Sequence, residues 1–304
     1  MQQSKEGFIG TAGVAFTENG GDARRGARTD GSRECSEAGN SPAEYPQDAE
    51  TSSGGAAAPR FINRTYLNAR YQFTKRDYGK GLVEIGWSFV SPYSPPKVAK
   101  GCSTERLGNE DRAVRRAKSR LRQLILSANL SHLLTLTYRE NVTDFSRAVD
   151  DLNRFVRKVR RHHSTWVYVA VAEQQNRGAW HWHIAVQGRQ DVELLRTLWR
   201  EIVGEGNIDV SPPKGNRKDR RLLLVKYLCK YLGKTFETGQ RNLNAHRFRA
   251  SRNIQVPNDR YTLPVIPGRD VNIVVLQHLF EAAGTTGYAW TSGDGLSGWA
   301  CSWK

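Results

Sequence analysis

The sequence predicts an α+β protein built on a ferredoxin-like (split βαβ) antiparallel sheet, and three observations carry that prediction. Between residues 131 and 211 the hydrophobic pattern switches between strand and helix periods in the order β-α-β-β-α-β. The two central strand patterns are joined by a short polar segment that ends at Gly178, which is typical of a hairpin. Both helical patterns carry an apolar stripe, so we expect both helices on one face of the sheet.

Two segments precede this core. Residues 1–60 contain few large apolar side chains in irregular order, and such a segment cannot bury enough surface to offset its chain entropy, so we expect disorder. Residues 61–128 form a predicted N-terminal extension, with a strand in GLVEIGWSFV and a basic amphipathic helix from Glu105 to Asn129. An amphipathic helix of this charge suits either contacts with phosphates or an ordinary solvated face.

The predicted core spans residues 129–235. Its elements are, in order, Ser131–Tyr138, a helix that Thr143 and Asp144 open, the strand TWVYVAVAE, the strand HWHIAVQG, a helix from Leu194 to Val203, and GNIDVS. A third helix follows the basic loop KGNRKDRR and spans Leu222–Lys234. Residues 236–304 are a basic C-terminal extension with a helix at Val271–Ala283 and a tail rich in Trp and Gly.

The charge of the chain indicates a polyanionic partner. Its formal net charge is +16; residues 1–60 carry 6 basic and 9 acidic side chains, so the remaining residues carry 40 and 21. Nucleic acid is the first candidate for such a surface and an anionic membrane surface the second. Our candidate phosphate contacts lie in the basic helix and the basic loop: Arg115, Arg116, Arg122, Lys214, Arg217, Lys218, Arg220 and Arg221.

Several classes of protein are disfavoured. The sequence contains no run of 18 or more apolar residues and begins without a signal-peptide pattern, so we expect a cytoplasmic protein that neither is secreted nor spans a membrane. Cys35, Cys102, Cys229 and Cys301 are far apart, which argues against a zinc knuckle or a disulfide framework.

The HWH strand carries a candidate metal site. Successive side chains of a strand point to opposite faces, so His181 and His183 emerge together while Trp182 and Ile184 point the other way. The predicted hairpin brings Glu173 back beside the two imidazoles. Two imidazoles and a carboxylate suit a divalent ion with open coordination positions.

The third helix carries candidate nucleophiles. At 100° per residue, Tyr227, Lys230, Tyr231 and Lys234 fall within an arc of about 100°, mostly opposite the apolar side. A tyrosine oxygen can attack a phosphodiester and conserve its bond energy as a phosphotyrosine. A neighbouring ammonium favours the phenolate, and decoration of an exposed helix is the alternative.

In this order and spacing the motifs resemble those of the HUH endonucleases of rolling-circle replication. LLTLTY resembles the first motif and HWHIAV the second, with Glu173 at the position of the third ligand in geminivirus-type initiators. YLCKYLGK resembles the third motif, doubled as in the two-tyrosine initiators of single-stranded-DNA phages and related plasmids. The resemblance covers residues 105–255, and Trp182 is bulkier than the residue usual between the histidines.

The resemblance implies a rolling-circle replication initiator protein with HUH topology, a site-specific nickase in a bacterial cytoplasm. It would cut one strand of single-stranded or extruded origin DNA with one Mg²⁺ or Mn²⁺, stay bound to the 5′ phosphate through tyrosine and leave a 3′ hydroxyl for host DNA polymerase. The two tyrosines would alternate, and we expect Tyr227 to act first. The sequence has no GxxxxGK[ST] loop, so a host helicase would unwind the duplex.

Three alternatives stay open at the level of sequence. The first is an HUH-type transposase or relaxase. The second is a non-catalytic ferredoxin-like module that stacks bases on exposed Tyr168, Trp180 and Trp182. The third is a zinc hydrolase with the same three ligands and no need for tyrosine.

Overall fold

The helices and strands of the protein are taken from a computed structural model, which describes residues 69–91, 106–215, 219–237, 247–266 and 268–303. The disorder predicted for residues 1–60 lies outside these ranges. The elements are β1 Arg70–Asp77, β2 Val83–Val90, α1 Arg106–Ser127, β3 His132–Tyr138, α2 Phe145–His162, β4 Tyr168–Gln174, β5 Trp180–Val186, α3 Val192–Val203, β6 Gly206–Ser211, α4 Arg220–Glu237, β7 Arg249–Ala250, β8 Asp259–Pro264, α5 Val271–Ala283, β9 Ala289–Thr291 and β10 Ser297–Cys301.

The HWH motif lies in the middle of a five-stranded sheet of order β6-β3-β5-β4-β7. All neighbouring strands in it are antiparallel. The elements β3-α2-β4-β5-α3-β6 follow the predicted order, and the arrangement is compatible with a ferredoxin-like fold. The short strand β7 extends the sheet beyond the predicted core, at its β4 edge.

Helices α2 and α3 cover one face of this sheet, as predicted. The side chain of Asp144 accepts a hydrogen bond from the Ser146 amide at 2.8 Å and so caps α2. Trp182 points into this layer and is 1% exposed. Its indole N–H donates to the Ala148 carbonyl at 3.1 Å, so the bulky residue between the histidines is accommodated by a polar contact with α2.

Helices α1 and α4 cover the opposite face, the one that carries His181 and His183. Fully buried leucines of α4, Leu224, Leu228 and Leu232, pack in one cluster with α1 and the strands. The apolar side predicted for the third helix is therefore its buried side. Its other side is left to meet the histidines.

A second five-stranded sheet, of order β8-β1-β2-β10-β9, was not predicted. Its strands come from both ends of the described chain, and the Ser302 hydroxyl accepts a hydrogen bond from the Val83 amide at 3.0 Å. Helix α5 packs on this sheet through Val271, Val275 and Leu279. The predicted N-terminal and C-terminal extensions therefore share one sheet and are not separate units.

A buried carboxylate links this second sheet to α1. Glu84 of β2 is fully buried and receives hydrogen bonds from the Tyr78 hydroxyl at 2.6 Å and the Trp299 indole at 3.1 Å. The Arg122 guanidinium binds it at 2.9 and 3.0 Å. Arg122 therefore neutralises a buried charge, and the prediction that it contacts DNA phosphates is withdrawn.

Candidate active site

The hairpin between β4 and β5 places a carboxylate beside the histidines, as predicted. Glu173 is the register partner of His181, and the turn closes at Gly178 with φ 86°, a left-handed conformation that favours glycine. The Glu173 carboxylate lies 2.7 Å from Nε2 of His183. A carboxylate only accepts, so this nitrogen carries the proton and donates it.

Both imidazoles are neutral at neutral pH. Burial lowers the pKa of His181 and of His183, and the charge of Glu173 offsets only part of that effect. Nε2 of His181 and Nδ1 of His183 are buried and have no hydrogen-bond partner among the described residues. Neutral imidazole nitrogens without a partner are the form in which histidine binds metal ions.

Helix α4 brings both predicted tyrosines onto the histidine face of the sheet. The Tyr231 ring stacks on His183 with centroids 4.3 Å apart, and the Tyr227 ring meets the same imidazole edge-on at 5.5 Å. The Tyr231 hydroxyl donates to the Tyr227 oxygen at 3.2 Å. The i, i+4 spacing therefore places the two phenol oxygens side by side.

The two lysines differ in their contacts. Lys234 donates to the Glu173 carboxylate at 3.2 Å, and its ammonium lies 5.3 Å from the centre of the Tyr231 ring. Lys230 is exposed. Lys234 is thus part of a chain of contacts that runs through Glu173 to His183, a role that spacing alone does not reveal.

The prediction that a nearby ammonium favours the Tyr227 phenolate is wrong for this arrangement. Burial raises the pKa of Tyr227, and the hydrogen bond from Tyr231 and the charges of Glu173 and Asp209 raise it further. The phenol is therefore protonated at neutral pH. Additional positive charge, from an ion or from the approach of a cationic side chain, is needed to favour the phenolate.

Asp209 is a site residue that the sequence reasoning missed. It belongs to β6 and pairs across the sheet with Thr135, which in turn is the register partner of His183. Two strand spacings separate Asp209 from His183, about 10 Å. Its alternation with Ile208 and Val210 in GNIDVS was the available signal, because Ile208 points into the core and Asp209 to the other face.

His181, His183 and Glu173 fit a divalent ion in the chemistry of their donors. Among the described residues, however, no three His, Cys, Asp or Glu side chains are arranged as a site ready to hold one. The Glu173 carboxylate is instead engaged by the His183 imidazole and the Lys234 ammonium. Binding of an ion by all three would require these two contacts to open.

The remaining candidate phosphate contacts fall into three groups. Arg115, Arg116, Lys214 and Arg220 are exposed, as phosphate contacts must be. Arg217 and Lys218 lie outside the described residues. Arg221 is 3% exposed, and its guanidinium is bound by the Asp219 carboxylate at 2.7 Å and the Tyr78 carbonyl at 3.0 Å. Arg221 therefore belongs to the fold, and its assignment to DNA is withdrawn.

The aromatic side chains that would serve a base-stacking module are not on the surface. Tyr168, Trp180 and Trp182 are 7%, 9% and 1% exposed and belong to the cluster under α2 and α3. Base stacking requires an exposed ring face. The alternative of a non-catalytic module that stacks bases on these three residues is therefore not supported.

Comparisons with known proteins address the segment that builds this site. No curated protein matches the chain. One solved structure, the hypothetical protein ORF119 from Sulfolobus islandicus rod-shaped virus 1, aligns with 41% of this chain and 97% of its own at 14% identity, but the TM-score of 0.28 is too low to support an argument. In the described part of the chain, no helix has the length and apolar character needed to cross a bilayer.

A family model matches the segment directly. The match is to the replication-associated protein ORF2 family and covers residues 131–236, from β3 to the end of α4. This range contains the HWH strand, Glu173 and both tyrosines. The segment that builds the candidate site thus belongs to the replication-associated protein ORF2 family, which supports a Rep-type replication initiator that binds DNA.

Proposed function

We propose that the protein initiates rolling-circle DNA replication as an HUH endonuclease of the two-tyrosine type. It nicks one strand of single-stranded or extruded origin DNA, holds the 5′ end as a phosphotyrosine and leaves a 3′ hydroxyl for host DNA polymerase, with unwinding by a host helicase. The observation that carries the proposal is the packing of Tyr227 and Tyr231 against His183, which is itself hydrogen-bonded to Glu173.

The proposed step is a transesterification. The oxygen of Tyr227 or Tyr231 forms a bond to phosphorus as the bond from phosphorus to the 3′ oxygen breaks. The phenol loses its proton and the departing 3′ oxygen gains one, so the reaction needs no other reactant. Because a phosphodiester bond is exchanged for another phosphodiester bond, the step is reversible, and the second tyrosine can later release the first.

Three features of the described residues support this step. The phenol oxygens lie 3.2 Å apart, so one bound phosphate is within reach of both. The Tyr231 ring is held against His183 and cannot rotate away without losing that stack. Lys234, beside Tyr231, supplies positive charge for the phosphate once it is released from Glu173.

We further propose that His181, His183 and Glu173 hold one Mg²⁺ or Mn²⁺. When bound, such an ion supplies a Lewis acid for a non-bridging phosphate oxygen. The protein's own part is to present neutral imidazoles and to keep the Glu173 carboxylate within reach. In the absence of the ion, Lys234 satisfies the negative charge of Glu173.

The test is the formation of a covalent adduct. The protein is incubated with a pool of randomised single-stranded oligonucleotides and Mn²⁺, and species that survive denaturation are separated on a gel. We expect an adduct with the parent protein, loss of it in Tyr227→Phe/Tyr231→Phe, and loss of it in His181→Ala. Tyr288→Phe, which alters an exposed tyrosine next to the second sheet, is the matched control and should retain the adduct.

The outcomes separate the proposal from its alternatives. Cleavage without an adduct, lost on zinc chelation and not restored by Mg²⁺ or Mn²⁺, would favour the zinc hydrolase. Binding without cleavage would favour a non-catalytic module. A transposase or relaxase would also form the adduct, and would be recognised by joining of the bound strand to a second DNA rather than release of a closed circle.

A further inference from the structure

A basic groove lies at the β4–β7 edge of the central sheet, distinct from the tyrosine site. Its volume is about 770 Å³. Helix α2 and the chain around β7 form its walls, and none of the described residues that line it is acidic. Its polar lining includes Asn153, Arg157, Arg160, Arg249, Arg252 and Asn253.

The arginines of the groove are placed differently from the other basic residues of α2. Arg154 and Lys158 of that helix pair with Asp151 and Glu201. By contrast, Arg157 and Arg252 are exposed, and neither forms an ion pair with a carboxylate of a described residue. Their charge is therefore available to a ligand.

One guanidinium is fixed at the base of the groove. Arg160 donates to the Ser251 hydroxyl at 2.8 Å and to the Trp166 carbonyl at 3.4 Å. These bonds hold Arg160 in place through neutral partners, so its positive charge is positioned but not cancelled. A rigid cation with exposed arginines around it is suited to a ligand that carries several phosphates.

We propose that this groove binds the phosphates of the DNA strand that flanks the nicked position, as a second anchor in addition to the tyrosine site. The inference rests on the proposed function, because it takes DNA as the ligand. Tyr168 lines the groove and Glu173 lies in the tyrosine site, five residues further along β4. That separation is about 17 Å, which corresponds to about five phosphates of one B-form strand.

The continuity of β4 thus places both sites within the reach of one DNA strand. A small phosphorylated metabolite would occupy only part of the groove and would leave exposed arginines unused. A strand that passes from the groove to the tyrosines would use the whole length of it. The function of the groove is therefore to hold DNA in register while the tyrosine reacts.

The test measures DNA affinity in the Tyr227→Phe/Tyr231→Phe background, so that no covalent bond forms. Fluorescence anisotropy with a pool of labelled randomised single strands is recorded between about 50 and 200 mM salt. Arg157→Ala/Arg252→Ala removes two exposed groove charges. Loss of two phosphate contacts lowers the slope of log affinity against log salt by about 1.4 for single strands, so over this fourfold range the parent should lose about sevenfold more affinity than the variant.

A matched pair controls for charge and folding. Arg260→Ala/Arg269→Ala removes two exposed arginines from the second sheet and its neighbouring loop, and should leave the slope unchanged. Arg157→Lys/Arg252→Lys should keep most of the slope, since lysine also binds phosphate as a point charge. Equal effects of the two alanine pairs, or no effect of either, would overturn the groove as a DNA site.

The readout also separates this proposal from the proposed function. If the parent protein forms the covalent adduct but the groove pair binds DNA with the parental slope, the groove inference fails and the nickase stands. If no adduct forms but the groove pair alone lowers the slope, the nickase fails and the groove stands.

Discussion

Replacement of Arg122 by alanine tests whether this residue serves the fold, as the structure indicates, or DNA, as the sequence suggested. Arg122 provides two of the polar contacts to the buried Glu84 carboxylate, at 2.9 and 3.0 Å, and its guanidinium lies 4.5 Å over the Trp299 ring. Removing one partner of a buried ion pair costs about 3–5 kcal/mol. Arg76, 3.6 Å from Glu84, remains in the variant, so we expect the lower end, about 3 kcal/mol.

The assay is urea unfolding followed by circular dichroism. Arg122→Ala should lower the free energy of unfolding by the amount above, and Arg122→Ala/Glu84→Gln should recover part of the loss because no unpaired buried charge is left. Arg116→Ala, an exposed position on the same helix, should stay within about 0.5 kcal/mol of the parent. A loss below about 1 kcal/mol in Arg122→Ala, together with weaker DNA binding, would refute the structural role and restore the original assignment.

Two further predictions concern the surroundings of the site. Trp182→Phe removes the hydrogen bond to Ala148 and part of a buried ring, and should lower the free energy of unfolding by about 1–3 kcal/mol, whereas Trp290→Phe at an exposed position should change it little. Thermal unfolding that is equal in both variants would contradict this. The Arg221 guanidinium outweighs burial and lowers the pKa of Asp219, so this pair stabilises the fold above the unfolded pKa of about 3.9 and that stability is lost as pH falls through the folded value. Asp219→Asn should therefore be less stable near neutral pH but lose less on acidification, as measured by melting temperature against pH, and a parallel decline in both proteins would exclude the pair as the cause.

The central sheet could be predicted from the sequence because its signals are local. Alternating and helical hydrophobic periods define β3 to α4, and the hairpin turn fixes which residue of β4 lies beside His181. The tyrosines of α4 share one face for a reason of helix geometry alone. Each of these inferences uses residues less than about ten positions apart.

The second sheet could not be predicted because its pairing is not local. Strand β2 pairs with β10 more than two hundred positions away, and β9 and β10 are only three and five residues long. The roles of Arg122 and Arg221 follow from contacts with Glu84 and Tyr78, which that distant pairing brings near. A run of arginines in a sequence does not distinguish cations that neutralise buried groups from cations that meet solvent.

The electrostatics of the site also depend on tertiary contacts. The lysine spacing on α4 suggested activation of Tyr227, but Lys234 binds Glu173, and Asp209 of β6 adds negative charge across the sheet. The protonated phenol that results explains why a site built from two tyrosines and two lysines still requires positive charge from elsewhere. The proposed metal ion would supply it.

The most direct test of the proposed function is the identity of the residue that becomes linked to DNA. The adduct formed with single-stranded DNA and Mn²⁺ is digested with nuclease and trypsin, and the modified peptide is sequenced by mass spectrometry. We predict a nucleotide phosphate on Tyr227 in the parent, and on Tyr231 when Tyr227 is replaced by phenylalanine. A DNA adduct on any residue outside α4, or strand cleavage that leaves no tyrosine modified, would contradict the account.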